Sequence, residues 1–391
     1  MHPSAISPQT LVDLKILIII ATCLLLSPHV AKLLRLPISA TEIMLGAVIA
    51  SLGLIGESEN FKLLAEIGFY YLMFIAGMEV NLHSFFNMDK NLAKNSLFYI
   101  AMLYLLSCLL VWLCKIPYIF VLIIPVMSVG LLSVLFKDLG KDCHWLNVSM
   151  TTATLAEVVS IVLLTIVSSF LNEGVGALET AKSILYLGIF LGLSILGFKL
   201  LEVLFWWYPQ FKAVLMPRED KNEKDIRFCM AIFIFITVIM VFSKLEVVLG
   251  AFIAGSFIAT FFDHKKDLEH KLSSFGYGFL IPIFFIHIGS TFNLALLLNH
   301  QILLQALLLT ATMMSVRMLC AGVFLSKIGA KNTLLFALSH SMPLTLLIAI
   351  ATLSYSAKLI TENLYSALIL TALLEVILAM SLIKFIANYK K

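Results

Sequence analysis

The run Ser339-His340-Ser341-Met342-Pro343 sets a proline among small polar residues in the middle of an apolar stretch, 330–353. A hydrocarbon core about 30 Å thick is crossed by roughly 20 helical residues, so the stretch is long enough to span. Its centre is where a helix can least afford to lose backbone hydrogen bonds, and proline removes one and opens the turn before it. The same arrangement occurs in 117–137, where Pro125 precedes Met127-Ser128-Val129-Gly130. Each proline is followed by a glutamate at an identical interval, Glu157 after Pro125 and Glu375 after Pro343. One displacement along the chain therefore carries the first proline and glutamate onto the second pair. Interrupted segments at matching places in two halves are the mark of inverted repeats, whose substrate site lies at the interruptions.

Working outward, thirteen apolar runs read as spans: near 11–34, 38–55, 62–83, 92–114, 117–137, 146–170, 181–207, 228–243, 246–262, 273–294, 301–325, 330–353 and 361–387. The composition agrees, with 61% hydrophobic and 13% charged residues against about half and a quarter in soluble chains. Soluble enzymes and nucleic-acid binders are excluded on that ground. The first run has no basic segment or small-residue cleavage site before it, so it is expected to stay as a span. The six cysteines are scattered without paired spacing, which points away from a disulfide framework or a zinc site.

Of the 27 basic residues, counting the ends of spans with the segments that flank them, 18 fall with segments after odd-numbered spans, six on the opposite side, and three are left inside spans (Lys199, Arg317, Lys384). Short cytoplasmic loops collect Lys and Arg, so the N-terminus is expected outside and the C-terminus in the cytoplasm, in the cell (inner) membrane. The fold expected is an all-α polytopic membrane protein of about 13 transmembrane helices in two inverted six-helix repeats. The first repeat takes 1–180, a linker span and charged loop take 181–227, and the second repeat takes 228–391.

An ionisable side chain at mid-membrane is costly and by default marks a pathway or a buried pair. Glu157, Arg317 and Glu375 are such residues. Glu157 is expected to bind a proton and a metal cation in turn, with Arg317 and Glu375 as charge partners. The plainer reading is a static Arg–Glu pair that locks helices together. Thr154 and Ser160 sit three residues either side of Glu157 on one helical face. Ser128 at one interruption, and Ser341 and Thr345 at the other, complete an oxygen set suited to a hard monovalent cation. For any single hydroxyl the competing reading is a bond back to its own helix. His287 and His340 titrate near neutral pH in water, and His287 is a candidate pH sensor, against the plainer reading of a packing residue. No His, Asp or Cys cluster suggests an enzyme, and no cofactor is implied. The function expected is exchange of Na+ (or K+ or Li+) for H+ across a lipid bilayer; the alternative is a cation channel or ungated K+ efflux pathway.

Three stretches carry a resemblance: LLAEIGFYYLMFIAGMEVNL (63–82), VLGAFIAGSFIATFF (248–262) and GFLIPIFFIHIGSTFNL (278–294). In order and spacing they resemble the monovalent cation:proton antiporters, in the branch with sodium/proton and potassium/proton exchangers. The resemblance implies discontinuous helices that cross at spans 5 and 12, an ion-binding carboxylate on span 6, and a homodimer in which one bundle moves against a dimerisation domain. By position, the second acid of the family's paired motif falls on Glu157 and the first on Ala156, both departures. The family's basic residue falls on Arg317, and its threonine at the first interruption on Gly130, with Ser128 the nearest hydroxyl. The nucleotide-sensing cytoplasmic domain of glutathione-gated relatives is expected to be absent.

Overall fold

The structure, a computed structural model, describes residues 8–34, 36–55, 58–79, 89–129, 131–132, 135, 143–171, 177–208, 210, 223–243, 245, 247–262, 266–291 and 299–388. Its helices are α1 (Pro8–Leu34), α2 (Ile38–Ser51), α3 (Glu59–Met78), α4 (Lys90–Cys114), the single turn α5 (Phe120–Ile123), α6 (His144–Leu171), α7 (Ala177–Trp207), α8 (Lys224–Phe242) and α9 (Val247–Phe261). There follow α10 (Lys266–Phe275), a π-turn (Gly276–Leu280), α11 (Ile281–Ser290), α12 (His300–Ala321), a 3-10 turn (Gly322–Phe324), α13 (Leu325–Ile328), α14 (Ala330–His340), α15 (Leu344–Ser356) and α16 (Glu362–Asn388). The protein is an all-helical integral membrane protein, with no strand among the described residues.

Nine of the described helical segments are long and apolar enough to cross a bilayer, α14 and α15 form one pair bent by 40°, and α2 and α9 are shorter apolar helices. Together they account for every expected span except the one at 117–137. There the described helix is only α5, so the count of thirteen crossings is not established by these lengths. The interruption expected in 330–353 is present: α14 ends at His340, Ser341 and Pro343 leave helical geometry, and α15 resumes at Leu344. Around Pro125 the chain leaves the helix after Ile123 and is non-helical over Val126–Ser128.

Two compact units emerge, and each draws on both halves of the sequence: Met1–His83 with Leu185–Ala295, and Ser84–Ile184 with Leu296–Lys391. Division by compactness and division by repeat therefore cut the chain differently.

In the first unit, α2 packs on α11 and α3 packs on α9. Helices in lipid gain little from apolar burial alone and associate through close backbone approach, which small residues permit. A Cβ at Gly46 would run into the Ile286 carbonyl, and one at Gly289 into that of Ile43. The α3–α9 crossing repeats the arrangement, with Gly77 against the Phe252 carbonyl and Gly255 against that of Phe74. In both crossings each glycine faces the carbonyl three residues before the opposite glycine. A smaller device lies at the foot of α11, where the Tyr71 hydroxyl donates to the Leu272 carbonyl, 3.0 Å away, beside the π-turn.

Candidate functional site

All the charged residues expected at mid-membrane belong to the second unit, and all are buried: Glu157 is 1% exposed, Arg317 and Glu375 0%. Glu157 comes from the middle of α6, Arg317 from α12 and Glu375 from α16. What draws them together is the backbone that the interruptions set free. A helix stopped at mid-span leaves N–H and C=O groups that lipid cannot satisfy, and they need partners from the protein.

At the first interruption those partners are ionisable side chains. The Val129 N–H donates to Glu157 Oε2 at 3.0 Å. Three residues earlier, the Val126 carbonyl accepts from Arg317 Nη2 at 2.8 Å. Arg317 Nη1 donates to Glu375 Oε1, also at 2.8 Å, so one guanidinium joins the interruption to α16. A hydrogen bond from an ionised guanidinium is the stronger kind, and the two contacts fall on either side of Met127 and Ser128. The two interrupted segments are tied to each other by Ser128 Oγ and Thr345 Oγ1, 2.8 Å apart. A hydroxyl pair of this kind can turn its lone pairs toward a cation, with the carboxylate that touches the next residue supplying charge.

The remaining expected residues sort differently. Thr154 donates to the Met150 carbonyl of its own helix at 2.9 Å, and Ser341 does the same to Ala337 at 3.0 Å. Ser160 is bonded to the Tyr104 hydroxyl at 3.0 Å. His287 lies in the other unit, on α11, where its ring meets Phe61 edge-on at 4.9 Å. Pro125 and Pro343 stand at the two interruptions, and Gly130 lies outside the described residues.

Residues 17–389 match the family of transmembrane sodium/hydrogen exchangers. The chain belongs to that family. Among curated relatives, the candidate Na(+)/H(+) antiporter YjbQ of Bacillus subtilis is 27% identical over 369 residues, covering 87% of this chain and 57% of its own length. This chain thus spans little more than half of that relative. A Na(+)/H(+) antiporter of Enterococcus hirae is 22% identical over 380 residues, covering 94% of this chain and 96% of the relative. In structure, the sodium proton antiporter MjNhaP1 of Methanocaldococcus jannaschii superposes with a TM-score of 0.70 at 17% identity, over 96% of this chain and 99% of that one, which establishes a shared fold.

Several groups in this buried network carry no mark in an apolar sequence. The Val126 carbonyl and Val129 N–H are backbone, and Tyr104 reads as one more aromatic. Tyr99 and His340 are bonded to each other at 3.1 Å, and Ser149 and Ser339 meet at 2.5 Å. Tyr99 had a signal after all, because it precedes Arg317 by the same displacement that separates the two prolines.

Proposed function

We propose that the protein exchanges Na+ (or K+ or Li+) for H+ across the membrane by alternating access, with Glu157 as the carboxylate both ions share. The observation that carries this reading is the placement of a buried carboxylate on the N–H of an interrupted helix, one residue beyond the Ser128–Thr345 hydroxyl pair. Dehydrating a small cation needs several oxygens at once, and discontinuous helices supply hydroxyls and freed carbonyls where they meet. Competition for one carboxylate couples the two fluxes. Glu157 loaded with either ion is neutral enough to pass an apolar barrier, and the empty carboxylate is held back. Arg317 and Glu375 serve as a structural charge pair that fixes the first interruption. Membership of the exchanger family supports cation/proton antiport, and so do the names of its relatives. We read the working form as a homodimer in the cell membrane, N-terminus outside and C-terminus cytoplasmic, with 1–180 and 228–391 as the inverted repeats. The matched glycine crossings of α2 with α11 and α3 with α9 support the repeat.

The test is proton movement in everted vesicles on adding Na+, Li+ or K+ in turn, for wild type and Glu157→Gln. The amide keeps the volume but neither releases a proton nor neutralises a cation, so exchange of every cation should vanish while the protein still folds. Wild-type exchange by that variant would remove Glu157 as the carrier. Counterflow separates an exchanger from a channel, since only the exchanger is stimulated by the opposite ion on the far side.

A further inference from the structure

The geometry points to Tyr99 and His340 as a positioning clamp on the second interruption, the uncharged counterpart of the clamp that Arg317 makes on the first. Tyr99 on α4 and Arg317 on α12 are related by the same displacement that relates Pro125 to Pro343 and Glu157 to Glu375. Each reaches into the interrupted span of the other half. Arg317 holds the Val126 carbonyl, and Tyr99 holds the ring of His340, the last residue of α14.

The bonding of the ring fixes its form. His340 Nε2 lies 3.1 Å from the Ser149 carbonyl, which can only accept, so Nε2 carries a hydrogen. Nδ1 lies 3.1 Å from the Tyr99 hydroxyl. An imidazolium sealed in this place would need an anion beside it. The ring is 1% exposed, its hydrogen-bond partners are a carbonyl and a hydroxyl, and Phe336 covers it with centroids 4.1 Å apart. The ring is therefore neutral, with Tyr99 donating to Nδ1. Beside it the Ser149 and Ser339 hydroxyls add a second tie between α6 and α14.

The consequence lies two helical turns away. Ser149 is eight residues before Glu157 on α6, so fastening Ser149 to the end of α14 sets the height of the second interruption against the carboxylate. That height decides whether Thr345 meets Ser128. Tyr99 and His340 thus act on cation affinity through Thr345 and touch neither ion. This inference rests on the reading of Glu157 as the shared carboxylate.

The experiment measures apparent KM for Na+, maximal rate, pH profile and thermal stability in proteoliposomes for Tyr99→Phe, His340→Leu and His340→Gln, with Glu157→Gln alongside. Tyr99→Phe removes one hydroxyl at constant volume and should raise apparent KM about three- to tenfold, as the loss of one hydrogen bond does, with maximal rate near wild type. His340→Leu should raise it further. His340→Gln can donate to the Ser149 carbonyl and accept from Tyr99, and should return to within about twofold of wild type with the pH profile unmoved. Unchanged KM in Tyr99→Phe overturns the clamp, whether or not stability falls and whether or not His340→Leu folds. A shifted pH profile in His340→Gln overturns the neutral ring. Exchange by Glu157→Gln sinks the carrier reading instead, and a dead Glu157→Gln beside an unchanged Tyr99→Phe sinks the clamp alone.

Discussion

The two compact units solve one problem by opposite means. In lipid, a helix gains little by trading acyl chains for apolar side chains, so a pair of helices needs either very close approach or hydrogen bonds between them. The first unit takes close approach, with Gly46, Gly77, Gly255 and Gly289 pressed on facing carbonyls at its two crossings. The second takes hydrogen bonds: Ser96 to Thr152, Tyr104 to Ser160, Tyr99 to His340, and Arg317 to both Glu375 and Val126. The difference teaches where change is tolerated. Backbone-on-backbone crossings have one geometry, as suits a scaffold. Polar ties around interrupted helices hold the fold with groups that, on the function proposed above, stand next to the ion, so the charged ties of the second unit should couple stability to transport more closely than its hydroxyls do.

The sharpest break in that comparison comes from the first unit. Gly255→Val puts a branched side chain where the Phe74 carbonyl already is, and main chain at a close helix crossing cannot yield. Ordinary overpacking costs about 1–3 kcal/mol, and this clash exceeds it because it meets main chain. Folded protein in detergent should be lost, by size-exclusion profile and thermal melt alike. A monodisperse variant with a wild-type melt would show that α3 and α9 are free to part.

Next in size is Arg317. Arg317→Ala strands Glu375 and the Val126 carbonyl together, and removing one partner of a buried ion pair typically costs about 3–5 kcal/mol. Thermal stability and most transport should go together. Arg317→Lys keeps the charge but cannot reach both partners with one planar fork, so partial activity with an altered pH dependence is expected. An alanine variant equal to wild type in both melt and flux would defeat the view that this charge holds the first interruption.

How far the sequence was legible follows from what kind of group carries each contact. Pro125, Pro343, Glu157, Glu375 and Arg317 stand out because a break or a charge is rare in an apolar run, and the structure brings these residues to one unit. Hydroxyls are common in such runs and have a partner in their own helix, which is where Thr154 and Ser341 ended while Ser128 and Thr345 found each other. Backbone groups such as the Val126 carbonyl leave no trace in composition at all. The division into two units was also hidden, because it interleaves the halves that periodicity and charge counting read in order.

A finer effect sharpens the contrast within the second unit. Ser128→Ala and Thr345→Ala each remove one hydroxyl of the pair that joins the interruptions, with no charge disturbed. Apparent KM for Na+ should rise roughly fivefold, the weight of one hydrogen bond, with little change in melting temperature. The double variant should cost no more than about either single one, since the second hydroxyl has already lost its partner. Additive effects would mean that the two hydroxyls act independently on the ion.

The smallest expected effect is none, and it concerns stoichiometry. Among the described residues of the second unit two carboxylates are buried, Glu157 and Glu375, and the guanidinium of Arg317 is bonded to Glu375 at 2.8 Å. With Ala156 at the place where the resemblance puts the family's first acid, and with Glu157 as the shared carboxylate we propose, one group is left to carry either one proton or one monovalent cation. Exchange should then be electroneutral, one for one. In proteoliposomes with the potential set by K+ and valinomycin, Na+/H+ exchange should run at the same rate and reach the same gradient whatever potential is imposed. A gradient that follows the potential requires a second proton per cycle. Glu375 released from Arg317 would be its source, and the polar ties of the second unit would then be moving parts where the glycine crossings of the first are fixed ones.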